Sequence, residues 1–122
     1  MAKTFEELRI WQQARILVKN VYSNFKADTI GHKDFGFRSQ FQRAAVSVMN
    51  NIAEGFERGS KADFARFLDI AKGSCGEVRS MLYIALDLDY INDENFQKLT
   101  KDAVLLSKGI AALSKTLRKS KK

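Results

Sequence analysis

Residues 43–55 read RAAVSVMNNIAEG, and the fold turns on how that stretch is wound. At about 100° per residue, Phe37, Phe41, Ala44, Ala45, Val48, Ile52 and Phe56 share a sector of about 120°, with Gly55 inside it. Arg43, Ser47, Asn50, Asn51 and Glu54 gather in a sector of roughly 100° on the opposite side. One apolar and one polar face predict an amphipathic helix over 34–58. A glycine on the apolar face costs about 1 kcal/mol against alanine, but it admits a neighbouring helix closely. Asparagine and serine are mediocre formers of exposed helix. The adjacent asparagines therefore point to amides bonded to something specific: a neighbouring helix, a second subunit or a nucleotide.

The same period recurs in three further blocks, and no proline interrupts any of them. TFEE opens the first, where Thr4 and Glu7 have the spacing of a reciprocal cap, and Leu8, Trp11, Ala14, Val18, Val21 or Tyr22, and Phe25 mark one face. KADTIGHKD breaks that pattern as a polar loop. Gly59 suits a left-handed helix end, and Ser60 with Asp63 suits the next helix start. Phe64, Phe67, Leu68, Ala71, Cys75, Val78, Leu82, Ala85 and Leu86 then form the third stripe. Its reverse face mixes Gly73, Gly76 and Ser80 with Ile70, Glu77 and Ile84, which predicts that something packs there, since two interior glycines weaken a helix otherwise. After a cap at Asn92 or Asp93, Phe96, Leu99, Ala103, Leu106, Ile110, Leu113 and Leu117 alternate steps of three and four.

Short connections between four such helices predict an all-α, antiparallel up-down-up-down four-helix bundle over 1–114, with helices at about 5–25, 34–58, 61–87 and 93–118. A fraying basic tail is expected at 115–122. The 122 residues fit one domain. Charges throughout MAKTFEELRIW and the lack of a long apolar run predict a soluble, cytoplasmic chain.

The candidate chemistry is sparse. Cys75 reads as a small buried hydrophobe and His32 as a solvated loop residue, so neither a Cys/His zinc site nor a nucleophilic dyad is expected. Glu54, Glu57 and Asp63 are the best carboxylate set for Mg²⁺, but their interleaving with Arg58, Lys61 and Arg66 predicts salt bridges on a solvated turn. The reading is therefore not an enzyme, with no metal and no cofactor. The net charge of +7 is uneven: Lys115, Arg118, Lys119, Lys121 and Lys122 supply five charges and leave +2 for residues 1–114. That tail is either a solubilising end or a phosphate-binding arm.

Three stretches, FEELRIWQQARILVKNVY, RSQFQRAAVSVMNNIAEGFERGS and FARFLDIAKGSCGEVRSML, together resemble the 23S rRNA intervening-sequence proteins of bacteria. NIAEG with the upstream QxxRAAxS, and Gly73-Ser74 with Glu77, carry the likeness. Arg43, Ser47, Asn51, Glu54, Gly55, Gly73, Ser74 and Glu77 match its motif positions. The loop KADTIGHKD lacks the proline often found where that loop begins. The resemblance implies a left-handed four-helix bundle, a ring-like homopentamer, no established enzyme activity and a proposed role in binding RNA or other nucleic acid. A related group serves as accessory proteins to reverse transcriptases.

From this follows the expectation that the stripe holding Arg43, Ser47, Asn50, Asn51, Glu54 and Gly55 meets Gly73, Ser74 and Glu77 across a subunit boundary, with Arg43 and Glu54 paired to partner groups. For phosphate, the candidates are Arg38, Arg43, Arg58, Lys61 and Arg66 on the body and Lys115, Arg118, Lys119, Lys121 and Lys122 on the tail. A structural or adaptor protein bound to another polypeptide is the alternative.

Overall fold

A computed structural model describes residues 2–119. Four α-helices make up most of it: α1 (Arg9–Ser23), α2 (Phe35–Glu57), α3 (Lys61–Asp87) and α4 (Asp93–Lys119), with single 3₁₀ turns at Phe5–Glu7 and Ile30–Lys33. Consecutive helices pack on one another, and α1 closes the bundle against α4. Side-chain pairings set their directions. Phe25 at the end of α1 meets Phe37 and Phe41 at the start of α2. Gln40, Ser47 and Gly55, rising along α2, meet Glu77, Ser74 and Phe67, descending along α3. Asp69 meets Arg118 and Cys75 meets Ala103, so α4 runs opposite to α3.

The predicted stripes supply the core. Val21, Phe41, Val48, Ile52, Leu68, Val78, Leu82, Leu99, Leu106 and Ile110 are wholly or almost wholly buried, each side chain contributing about 1.5–3 kcal/mol by leaving water. Ile10 and Leu17 join them, two positions absent from the expected α1 face. Phe64, Leu113 and Leu117 are only half-buried, while Ser114 is buried near the open end of α4. At the other end, Phe25, Phe37, Phe41 and Tyr90 pack ring against ring at 5.5–6.0 Å.

Helix starts follow the polar punctuation in three of four places. The Ser60 hydroxyl accepts from the Asp63 amide at 3.1 Å, and Asn92 Oδ1 accepts from the Asn95 amide at 2.7 Å, settling Asn92 over Asp93 as the cap. Asp34 Oδ1 accepts from the Phe37 amide at 3.2 Å. Gly59 has φ +88, the left-handed conformation that ends α2 before a new cap. The exception is Thr4, whose side chain caps nothing. Glu7 instead accepts from the Lys3 amide at 3.0 Å, and the Gln12 side-chain amide donates to the Glu6 carbonyl at 2.8 Å. Phe5 packs edge-on against Trp11 at 5.1 Å, so the segment closes as a 3₁₀ turn, and extended Leu8 (φ −73, ψ 128) separates it from α1.

Two further expectations change. The loop 26–34 is not wholly solvated: Gly31 is buried, and His32 Nδ1 lies 2.9 Å from the Phe25 carbonyl. A Cβ at Gly31 would stand 2.5 Å from the Phe25 ring, so the aromatic cluster requires a residue without one. Secondly, the start of the basic tail is part of α4, which is helical through Lys119, one residue past the expected end at about 118. Lys121 and Lys122 lie outside the described residues.

Candidate nucleic-acid interface

The α2 stripe divides into a sealed middle and open ends. Ser47 and Ser74 share a hydroxyl–hydroxyl hydrogen bond of 2.8 Å, and Asn51 Nδ2 donates to the Ser47 carbonyl at 2.8 Å and to its hydroxyl at 3.0 Å. Gln40 donates to Glu77 at 3.4 Å. These partners belong to one chain: the tight 58–60 turn folds α3 back along α2, so Ser47 and Gln40 meet Ser74 and Glu77 at an intramolecular seam, with Asn51 bonded to Ser47. Half-buried hydroxyls and amides are satisfied there at once. Gly55 lies on the same seam, where a Cβ would stand 2.7 Å from Phe67 Cβ.

Outside the seam, Glu54 pairs with Arg58, the residue that caps the end of α2, at 3.2 Å. Asn50 is exposed. Arg43 is exposed at a groove of about 610 Å³ shared with Phe35, Gly36, Gln40, Ser47 and Glu77. On α3, Gly73 and Gly76 have no atom within 4 Å of where a Cβ would be. Ile70 and Ile84 on that face are 43% and 44% exposed, and Phe35 on α2 is 69% exposed. Among the described residues, nothing covers this surface.

The arginines of the turn are engaged. Arg58 and Arg66 lie 4.9 and 4.6 Å from the centre of the Phe67 ring, and Arg66 also approaches Asp63 at 3.6 Å. Lys61 opens α3 beside Phe64 and Leu117. Arg38 donates through Nε to the His32 carbonyl at 3.0 Å and covers the Phe35 ring at 5.3 Å.

The densest cationic feature lies on the other seam. Lys72 of α3 and Lys115, Arg118 and Lys119 of α4 line a groove of about 470 Å³, with Asp69 as its carboxylate. Arg118 holds Asp69 through both oxygens, at 3.2 and 2.6 Å, and also donates to the Ser114 hydroxyl. That forked bond keeps the Asp69 carboxyl below the usual carboxylate range and raises Arg118. Asp69 is thereby neutralised, and Lys72, Lys115 and Lys119 form no ion pair among the described residues. Lys72 is the residue sequence reasoning missed. Only the α3/α4 register brings it beside the α4 lysines, and no spacing within α3 signals that.

Cys75 is fully buried, and its thiol donates to the Ala103 carbonyl at 3.2 Å. Burial pushes the thiol pKa up to about 11, partly opposed by the charge of Arg79. His32 is engaged elsewhere, with the Phe25 carbonyl. Among the described residues, no group of three or more His, Cys, Asp or Glu is placed to hold a metal ion, and no helix is long and apolar enough to cross a membrane.

Comparison with solved structures finds the same fold in a protein of unknown function from the S23 ribosomal protein family of Bacteroides thetaiotaomicron VPI-5482, with a TM-score of 0.80. The two are 23% identical, over 87% of this chain and 95% of that one. No curated protein matches the chain. The family model described as "23S rRNA-intervening sequence protein" matches residues 6–112, which takes in the α2/α3 seam and the NIAEG stripe but ends before Ser114, Lys115, Arg118 and Lys119 of the α3/α4 groove. The chain therefore belongs to the 23S rRNA-intervening sequence protein family.

Proposed function

We propose that this protein is a non-catalytic, cytoplasmic, ring-shaped homopentamer that binds RNA or another nucleic acid through repeated basic surfaces. The α3/α4 groove carries the reading: three lysines and an arginine line it, and its only carboxylate among the described residues is already held by Arg118. Such a surface attracts polyanions and releases condensed counterions when it meets phosphate. Self-association is supported by the outer face of α3, where open glycines lie among exposed isoleucines. Small residues allow close approach of a second subunit, and a ring multiplies weak phosphate contacts.

RNA binding followed by fluorescence anisotropy across a salt series tests this. Affinity should fall steeply with salt, and a Lys72→Gln/Lys115→Gln/Lys119→Gln variant should show a slope shallower by about two to three. The exposed Phe35, Ile70 and Ile84 also support a second reading, an adaptor whose partner is another polypeptide, such as a reverse-transcriptase accessory factor. Assembly without RNA uptake at low salt would favour that adaptor and end the first reading.

A further inference from the structure

A second cationic groove, of about 440 Å³, lies between the end of α1 and the start of α2, and Lys19, Tyr22, Lys26, Arg38 and Gln42 are among its lining residues. Among the described residues, no carboxylate lines it. This distinguishes it from the α3/α4 groove, where Asp69 offsets one charge. Arg38 is pre-positioned, since Nε is tied to the His32 carbonyl and the guanidinium rests over Phe35. Its terminal nitrogens bond no protein group among the described residues, so the forked end is free for an anion.

Tyr22 adds something that phosphate binding does not need. Phe25, Phe37, Phe41 and Tyr90 bury their rings against one another, whereas Tyr22 is 46% exposed and has no ring partner among the described residues. Lys19 and Tyr22, three residues apart, share one side of α1. Cations alone would serve an acidic peptide. Cations beside an unpartnered aromatic face suit a nucleotide, whose phosphate and base need different partners.

We infer that this groove is a site for unpaired nucleotides: Lys19, Lys26 and Arg38 hold the backbone phosphate of single-stranded RNA, and Tyr22 stacks an extruded base. The inference rests on the nucleic-acid reading above and narrows it to single strands. In a duplex the bases stack on one another and their faces are closed to a side chain.

The test uses the full chain with a fluorescent oligouridylate of about 12 nucleotides, and a duplex RNA of the same length. Tyr22→Ala should weaken oligouridylate binding by roughly 5- to 50-fold and leave duplex binding within about twofold. Tyr22→Phe, which keeps the ring face, should bind like the parent chain. Unchanged oligouridylate affinity in Tyr22→Ala, with binding still lost in the Lys72/Lys115/Lys119 variant, would overturn this site alone. Failure of the parent chain to bind either RNA at low salt would overturn the nucleic-acid reading itself. Displacement of oligouridylate by polyglutamate at equal charge, insensitive to Tyr22→Ala, would assign the groove to acidic polypeptides and also overturn the proposal.

Discussion

Gly55 on α2 and the pair Gly73 and Gly76 on α3 all occupy helix interiors, where glycine is a poor choice, yet their surroundings are opposite. Phe67 and Phe64 of the same chain crowd Gly55, leaving no room for a methyl group, while Gly73 and Gly76 face open space. At Gly55 the chain's own packing explains the residue: loss of helix propensity is offset by a closer α2/α3 crossing. At Gly73 and Gly76 nothing among the described residues offsets it. A local cost with no local return points outside the chain, which is why the α3 surface is the proposed joint between copies.

The comparison breaks most easily at Gly55. Gly55→Ala should lower stability by about 1–3 kcal/mol in denaturant unfolding, because overpacking against Phe67 Cβ, 2.7 Å from the new methyl, outweighs the gain in propensity. A more stable variant would mean that the crossing relaxes freely. Gly73→Ala and Gly76→Ala should act in the opposite sense. Each should raise the stability of the unassembled chain by about 0.5–1 kcal/mol, and the pair should shift sedimentation toward smaller species. Unchanged assembly would remove this face from the joint.

The smallest effect is expected from acid. The Tyr90 hydroxyl, 2.6 Å from Asp34, and the Phe37 amide hold Asp34 below the ordinary carboxylate range, as Arg118 does Asp69. A carboxyl whose folded pKa is depressed binds fewer protons in the folded state than in the unfolded one. Its contribution is therefore complete above the unfolded value of about 4 and lost as pH falls through the folded value. Thermal melts should thus hold steady down to about pH 4 and decline below it. Asp69→Asn should flatten part of that decline, because it removes one of the two depressed carboxyls. Both partners are exposed, so the stability change at neutral pH should be small.

Much of the fold is written in local pattern. The apolar period marks all four helices, because burying a continuous stripe is the only way such a helix gains appreciable stability. Ser60, Gly59 and Asn92 show their roles because caps act over three or four residues. Thr4 misleads for the same reason: its cap spacing is present, but Phe5 gains more by packing on Trp11. The candidate sites were less legible. Arg43, Ser47, Asn51 and Glu54 are recognisable as an unusual stripe, yet which of them face solvent depends on where α3 lies. Arg118 reads as a free tail cation until α3 brings Asp69 within 2.6 Å.

Sequence alone determined the four helices, their faces and the motif that marks the family, since each depends on contacts within a few turns or on residue identity. Tertiary structure alone decided which polar residues close on one another, as Ser47 does with Ser74, and which cations are left open, as Lys72 is beside Lys115 and Lys119. Those pairings join residues 27 or more positions apart, so they depend on the register between helices, a quantity that no single helix encodes.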